Sequence, residues 1–149
     1  MKAGTVHKML NLIESGCSQS LSEAIVANFL GLSALDSNKA IIGASGAILF
    51  LVTTFRNAEP GSQSRLDSLR SLFNLSISPL NAPHLVESKL VPCLFAAIGD
   101  MEVSEKALSV LSNLVGSPEG RRAVSRSPEA IPILVDVLNW GDSPECQVI

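Results

Sequence analysis

A thiol and an imidazole, Cys93 and His84, are the nearest approach in this chain to a nucleophile with its base. A catalytic cysteine needs a base within hydrogen-bond reach and surroundings that favour the thiolate. Cys93 sits instead beside Val91, Leu94 and Phe95, which predicts packing rather than chemistry. Ser45 lies in Gly43-Ala44-Ser45-Gly46, a spacing that is not the G-x-S-x-G of a nucleophile elbow. Asp100 and Glu102 place two like charges in an expected loop, where a solvated turn explains them. Neither the G-x-x-x-x-G-K-[ST] phosphate loop nor H-E-x-x-H occurs. Cys17, Cys93 and Cys146 are far apart with no C-x-x-C pair, and only His7 and His84 could help them ligate a metal. Structural zinc takes four grouped Cys or His ligands. The sequence therefore predicts no catalytic constellation, no metal, no cofactor and no disulfide framework. Its thiols are expected to be small buried or surface groups in a reducing compartment.

Composition narrows the classes further. The chain has 149 residues, enough for one domain with its own core. Hydrophobic residues make up 46% but aromatics only 4%, and the mean hydropathy is +0.34. The apolar mass is therefore aliphatic, which suits layered helix packing. A formal charge of −3 and a pI near 5.3 argue against nucleic acid, because phosphate-backbone binding uses clustered Lys and Arg. Arg121-Arg122 is the only adjacent pair among the eleven basic residues. No continuous apolar segment follows the first lysine, so a secretory signal is not expected; an intracellular setting, cytoplasmic or nuclear, is. The longest uncharged run, Ala40 to Phe55, has sixteen residues, short of the roughly 20 that a spanning helix needs. Gly43-Ala44-Ser45-Gly46 interrupts it. Two short helices meeting at a corner are expected there, and no membrane contact.

Periodicity then supplies the elements. Ile48, Leu51, Val52 and Phe55 fall at i, i+3, i+4 and i+7, one face of an α-helix. The same offsets recur at Val91, Leu94, Phe95 and Ile98, at Ile131, Leu134, Val135 and Leu138, and at Val6, Met9, Leu10 and Ile13. Their first residues, 6, 48, 91 and 131, lie 42, 43 and 40 apart. A longer amphipathic helix recurs in phase, with Val26, Phe29 and Leu32, then Leu69, Leu72 and Leu75, then Leu108, Leu111 and Leu114. A short third element lies between them. Ser117-Pro118-Glu119 reads as a helix start, with a Ser cap, Pro at the first position and an acid in the first turn. Ser127-Pro128-Glu129 repeats that signal and is expected to open the next medium helix.

A unit of one short, one medium and one long helix in about 42 residues describes an α-solenoid, since HEAT and armadillo repeats run about 40–47 residues. The short first helix and its glycine corner favour the armadillo type. The expected fold is thus all-α, a right-handed armadillo-type solenoid of three-helix repeats. One array covers 1–149, with a partial repeat 1–36, repeats 37–79 and 80–116, and a partial repeat 117–149. It is expected to be truncated at both ends, since the chain opens on a medium helix and stops where the next long helix should begin. Terminal repeats normally carry a polar cap. Without one, Val135 and Leu138 are expected to drive self-association. Trp140 is expected to pack as core or cap on the last medium helix, with an exposed contact as the alternative.

The segments "GAILFLVTTF", "LFNLSISPLNAPHLVESKLVPCL" and "LSNLVGSPEGRRAVSRSPEAIPILVDVL" resemble armadillo repeats of the plant U-box/armadillo family. Asn74 and Asn113 in the long helix and Pro92 and Pro132 early in the medium one carry the likeness; the first repeat departs from it with Gly31 in place of Asn. The resemblance covers almost the whole chain. It implies an array that binds partner or substrate proteins, while a separate U-box recruits the ubiquitin-conjugating enzyme. No U-box pattern is visible here, so the expectation is a non-catalytic protein-interaction scaffold. The alternatives are the substrate-binding portion of a ubiquitin ligase whose U-box is absent from this chain, or an inert truncated paralogue.

Armadillo arrays line their concave face with the long helices. By phase the first exposes Ala27, Asn28 and Gly31, the second Asp67, Arg70, Ser71 and Asn74, and the third Lys106, Ser109 and Asn113. An Asn amide can donate to and accept from a peptide backbone at once, so Asn74 and Asn113 are candidates to clamp an extended segment. Equally, they could bond carbonyls of the neighbouring repeat and stiffen the stack. Importin-alpha-like capture of basic peptides uses a Trp four residues before the groove Asn; here those places hold Ala27, Arg70 and Ser109. A neutral or acidic protein segment is the expected partner.

Overall fold

The structure, a computed structural model, describes residues 3–139. The expectations for Trp140 and Cys146 lie outside those residues. Every regular element described is helical: α1 Ala3–Glu14, α2 Gln19–Ser33, α3 Asp36–Ala44, α4 Ala47–Asn57 and α5 Gln63–Ser76 come first. A 3-10 turn, Pro79–Asn81, then leads into α6 Ala82–Glu87, α7 Leu90–Ala97, α8 Ser104–Leu114, α9 Pro118–Arg126 and α10 Ala130–Leu138. The order short, medium, long therefore recurs along the chain. The long helices pack side by side, α2 on α5 and α5 on α8; the medium helices α4 and α7 pack on the long helices after them, α5 and α8. The short elements stack in a third row, α3 on the 3-10 turn and α6 on α9.

Local chemistry sets the boundaries. Ser18, Ser62 and Ser117 precede α2, α5 and α9 in extended backbone, and each hydroxyl accepts from an amide of the first turn, those of Leu21, Arg65 and Gly120. Such a cap contributes about 1 kcal/mol. Ser127 behaves otherwise. Its hydroxyl donates to the Ala123 carbonyl at 3.0 Å, closing α9, and α10 opens at Ala130 behind Glu129 with no side-chain cap. The second Ser-Pro-Glu signal thus marks a turn between helices rather than a cap.

The uncharged run is a corner, as expected, but the corner is narrower. Helices α3 and α4 meet at 87°, and the chain turns at Ser45 and Gly46, where Gly46 takes φ 93°. Among the described residues no single helix is long and apolar enough to cross a membrane. Gly43 is not a turn residue at all. It lies inside α3 against the Asn81 side chain, and a Cβ there would collide with that amide.

The expected apolar faces of α4 and α7 are fully buried: Ile48, Leu51, Val52 and Phe55, and Val91, Leu94, Phe95 and Ile98. Burial of each stabilises the fold by roughly 1.5–3 kcal/mol. The corresponding face of α10 is not. Ile131, Val135 and Leu138 are 74%, 49% and 59% exposed, and burial falls instead on Ala130 and Val137. The reason is positional. α4 and α7 are each roofed by a following long helix, and among the described residues no helix follows α10.

Candidate protein-binding face

The seams between long helices are tied by matching polar pairs. Asn74 of α5 donates Nδ2–H to Ser33 Oγ of α2 at 3.1 Å, and Asn113 of α8 donates to Ser76 Oγ of α5 at 3.0 Å. Each serine spends its own proton inside its helix, on the Leu30 and Phe73 carbonyls, and so is left as an acceptor. Asn74 and Asn113 therefore each bond the preceding long helix, through a hydroxyl rather than a carbonyl. No donor reaches either Oδ1 among the described residues.

A second layer of buried amides secures the ends of the long helices. Asn38 donates to the Leu32 carbonyl at 2.9 Å; Asn81 donates to Leu75 at 3.0 Å and to Lys39 at 2.9 Å. The buried Lys39 ammonium adds bonds to the carbonyls of Ser33 and Ala34. Helix C-termini leave carbonyls without intrahelical partners, and donors there satisfy them. Sequence reasoning did not single out these residues. A signal was present, because Asn38 and Asn81, like Ser33 and Ser76, are 43 residues apart, one repeat period.

The candidate contact residues divide on exposure. Asn28, Gly31 and Arg70 lie open on the surface; Asn28 donates to the Ala24 carbonyl of its own helix at 2.8 Å. Asn74, Lys106, Ser109 and Asn113 are half-buried. Lys106 Nζ stands 4.2 Å from the Phe73 ring centroid, a cation–π contact across the seam. The Ser109 hydroxyl donates to the Glu105 carbonyl at 2.8 Å. Asp67 and Ser71 were expected on the exposed face and are instead buried. The Ser71 hydroxyl is used on the Asp67 carbonyl at 2.7 Å, and Gln63 donates to the Asp67 carboxylate at 2.8 Å. Both lie on the stripe of α5 that carries Asn74 and turns toward α2, so packing takes up part of the face that phase alone assigns to solvent.

The groups with chemical potential are dispersed. Cys93 and His84 line different clefts. Cys93 is half-buried rather than fully packed; burial pushes its thiol pKa up, outweighing the nearby Arg56 charge that pulls it down, so it stands as a neutral thiol. No group of three His, Cys, Asp or Glu able to hold a metal occurs among the described residues. Asp100 is more than a solvated turn. It accepts from the Arg65 guanidinium at 2.6 Å and from the Glu102 amide at 3.0 Å, and these bonds hold its carboxyl below the usual range, the arginine contributing most. Because Arg65 also lies 5.4 Å from the Phe55 ring centroid, it links α4, α5 and the loop before α8.

No family model matches the sequence. Individual curated proteins do. The chain is 36% identical over 124 residues, 81% of its length, to U-box domain-containing protein 7 of Arabidopsis thaliana. It is 33% identical over 136 residues, 90% of its length, to U-box domain-containing protein 45, and 39% identical over 107 residues, 70% of its length, to U-box domain-containing protein 6, both of Arabidopsis thaliana. The matched stretches are 15%, 18% and 14% of those proteins, so the chain spans less than a fifth of the curated relatives it matches. Over most of its own length, then, this chain is homologous to a segment of plant U-box domain-containing proteins.

Proposed function

We propose that the chain is a non-catalytic protein-interaction segment, an armadillo-type α-solenoid that binds an extended partner along the row α2, α5 and α8. The observation that carries this reading is the state of Asn74 and Asn113. Each uses Nδ2 inside the protein and keeps Oδ1 unbonded among the described residues, so a partner's backbone N–H finds an acceptor in successive repeats. Lys106 and Arg70, the latter 4.0 Å from the Asp67 carboxylate, are the cations among the candidate residues of the row, and a neutral or acidic segment suits them. The packing of each repeat on the next supports the solenoid description, since such units bury their apolar faces only against neighbours. An intracellular setting, cytoplasmic or nuclear, goes with this reading.

The test is direct binding of the full chain to arrayed acidic, neutral and basic peptides. Acidic and neutral peptides are expected to bind, and the double variant Arg70→Ala/Lys106→Ala to weaken acidic peptides about tenfold, as expected for two partly exposed charge contacts. Preference for basic peptides, or indifference to the double substitution, overturns it. A second reading is favoured by the names of the relatives. The segment would be the substrate-binding portion of a ubiquitin ligase, with recruitment of the conjugating enzyme done by a U-box elsewhere; a partner that is ubiquitinated only when this segment is joined to a U-box would favour it. An inert paralogue would bind none of the peptides.

A further inference from the structure

Between α4 and α7 lies an open cleft of about 490 Å³. Pro92 and Ala96 give it apolar walls over the buried Phe55 and Ala97, and the half-buried Cys93 lines the same space. Three cations border it: Arg56, Arg65 and Lys89. Arg65 is committed to Asp100, whereas Arg56 and Lys89 make no ion pair among the described residues. No acidic residue lines the cleft. The result is an apolar cleft bordered by two cations that make no ion pair among the described residues. Pockets of this size and mostly apolar lining, with a few placed polar groups, are the common form of binding sites.

Lys89 adds an independent observation. It starts α7 at φ 65°, the only non-glycine residue with positive φ among the described residues. The matching corner before α4 holds Gly46 at φ 93°. A side chain in this left-handed conformation is strained, and glycine is not. The chain thus carries a cation at the cleft's edge where glycine fits without strain, and residues held in such conformations cluster at functional sites.

We propose that this cleft is a second docking site, taking an acidic–aliphatic peptide segment of a partner protein. The segment's carboxylate lies between Arg56 and Lys89, and its neighbouring aliphatic side chain lies on the exposed Pro92 and Ala96. None of the candidate residues on α2, α5 and α8 lines the cleft, so the two sites stand or fall separately.

Cys93 provides the readout. The full chain is mixed with a pool of acetylated pentapeptides holding Glu or Asp between Leu, Ile or Val, or with a matched Gln/Asn pool, and alkylated with iodoacetamide. Mass spectrometry then follows each cysteine, with Cys17 as the internal control. The acidic pool is expected to slow alkylation of Cys93 at least threefold and leave Cys17 unchanged, with the amide pool less than half as effective. Arg56→Ala and Lys89→Gly are each expected to remove most of that protection. Lys89→Gly is also expected to hold or raise Tm because it relieves the left-handed backbone, so lost protection there cannot be unfolding. Equal protection by the amide pool, no protection at the peptides' solubility limit, or protection that survives both substitutions overturns the proposal.

Discussion

Helices α4 and α10 carry the same apolar residue classes at the same offsets, yet they sit in opposite surroundings. In α4, Ile48, Leu51, Val52 and Phe55 are sealed between α5 and the core; in α10, Ile131, Val135 and Leu138 face outward. The amphipathic pattern selects the face that would be buried. Burial itself requires a second helix, and for α4 and α7 that helix is the long one that follows in the chain.

The sharpest test of this comparison is a pair of truncations. Leu51→Ala leaves a cavity in a closed site and is expected to cost about 2–5 kcal/mol. Leu138→Ala removes a side chain more than half exposed and is expected to change stability by about 0.5 kcal/mol or less. Urea unfolding of both variants checks the pair; equal losses would mean that α10 is covered in solution. Next comes Gly43→Ala, which drives a methyl group into Asn81. It is expected to cost about 1–3 kcal/mol, because the amide must leave the Lys39 and Leu75 carbonyls or α3 must shift.

Asn74→Ala and Asn113→Ala are each expected to cost about 1 kcal/mol, the net value of one hydrogen bond. The exposed face of α10 makes a different kind of prediction. Sedimentation across a concentration series is expected to show association that Val135→Lys/Leu138→Lys abolishes, and a strictly monodisperse parent chain would refute it. The smallest effect concerns acid. Asp100 has a lowered folded pKa, so its contribution is complete above the ordinary carboxylate value of 3.8 and is lost as pH falls through the lower one. Asp100→Asn is accordingly expected to flatten the stability profile below about 3.8 while sparing its shape near neutrality.

Much of this was legible in the sequence for a definite reason. Eight of the apolar anchor positions, those of α4 and α7, are buried as their periodicity predicts, because a helix with a full apolar stripe has only one face to hide. Polar residues obey no such rule. Asp67 and Ser71 share a helix face with the exposed Arg70, but they lie on the stripe of Asn74, which turns toward α2, and are buried. Gly43 and Ser127 were misassigned as turn and cap because type alone does not separate a glycine needed for φ from one needed for space. Nor does it tell a serine that opens a helix from one that ends the previous helix. Asn38, Asn81, Ser33 and Ser76 were visible only as recurrences at the repeat period, a signal that hydrophobic patterning does not contain.

The amide–hydroxyl pairs between long helices also carry information about order. Each donor stands on the later helix and each acceptor on the earlier one, Asn74 to Ser33 and Asn113 to Ser76. At the next places along the series, Gly31 offers no amide and Val115 no hydroxyl. The two inner seams are thus keyed, each helix recognising its correct neighbour by polarity as well as by shape. A helix laid on the outer side of α8 would meet valine and be chosen by packing alone. Discrimination between right and wrong neighbours is therefore concentrated at the α2–α5 and α5–α8 seams and lapses on the far sides of α2 and α8.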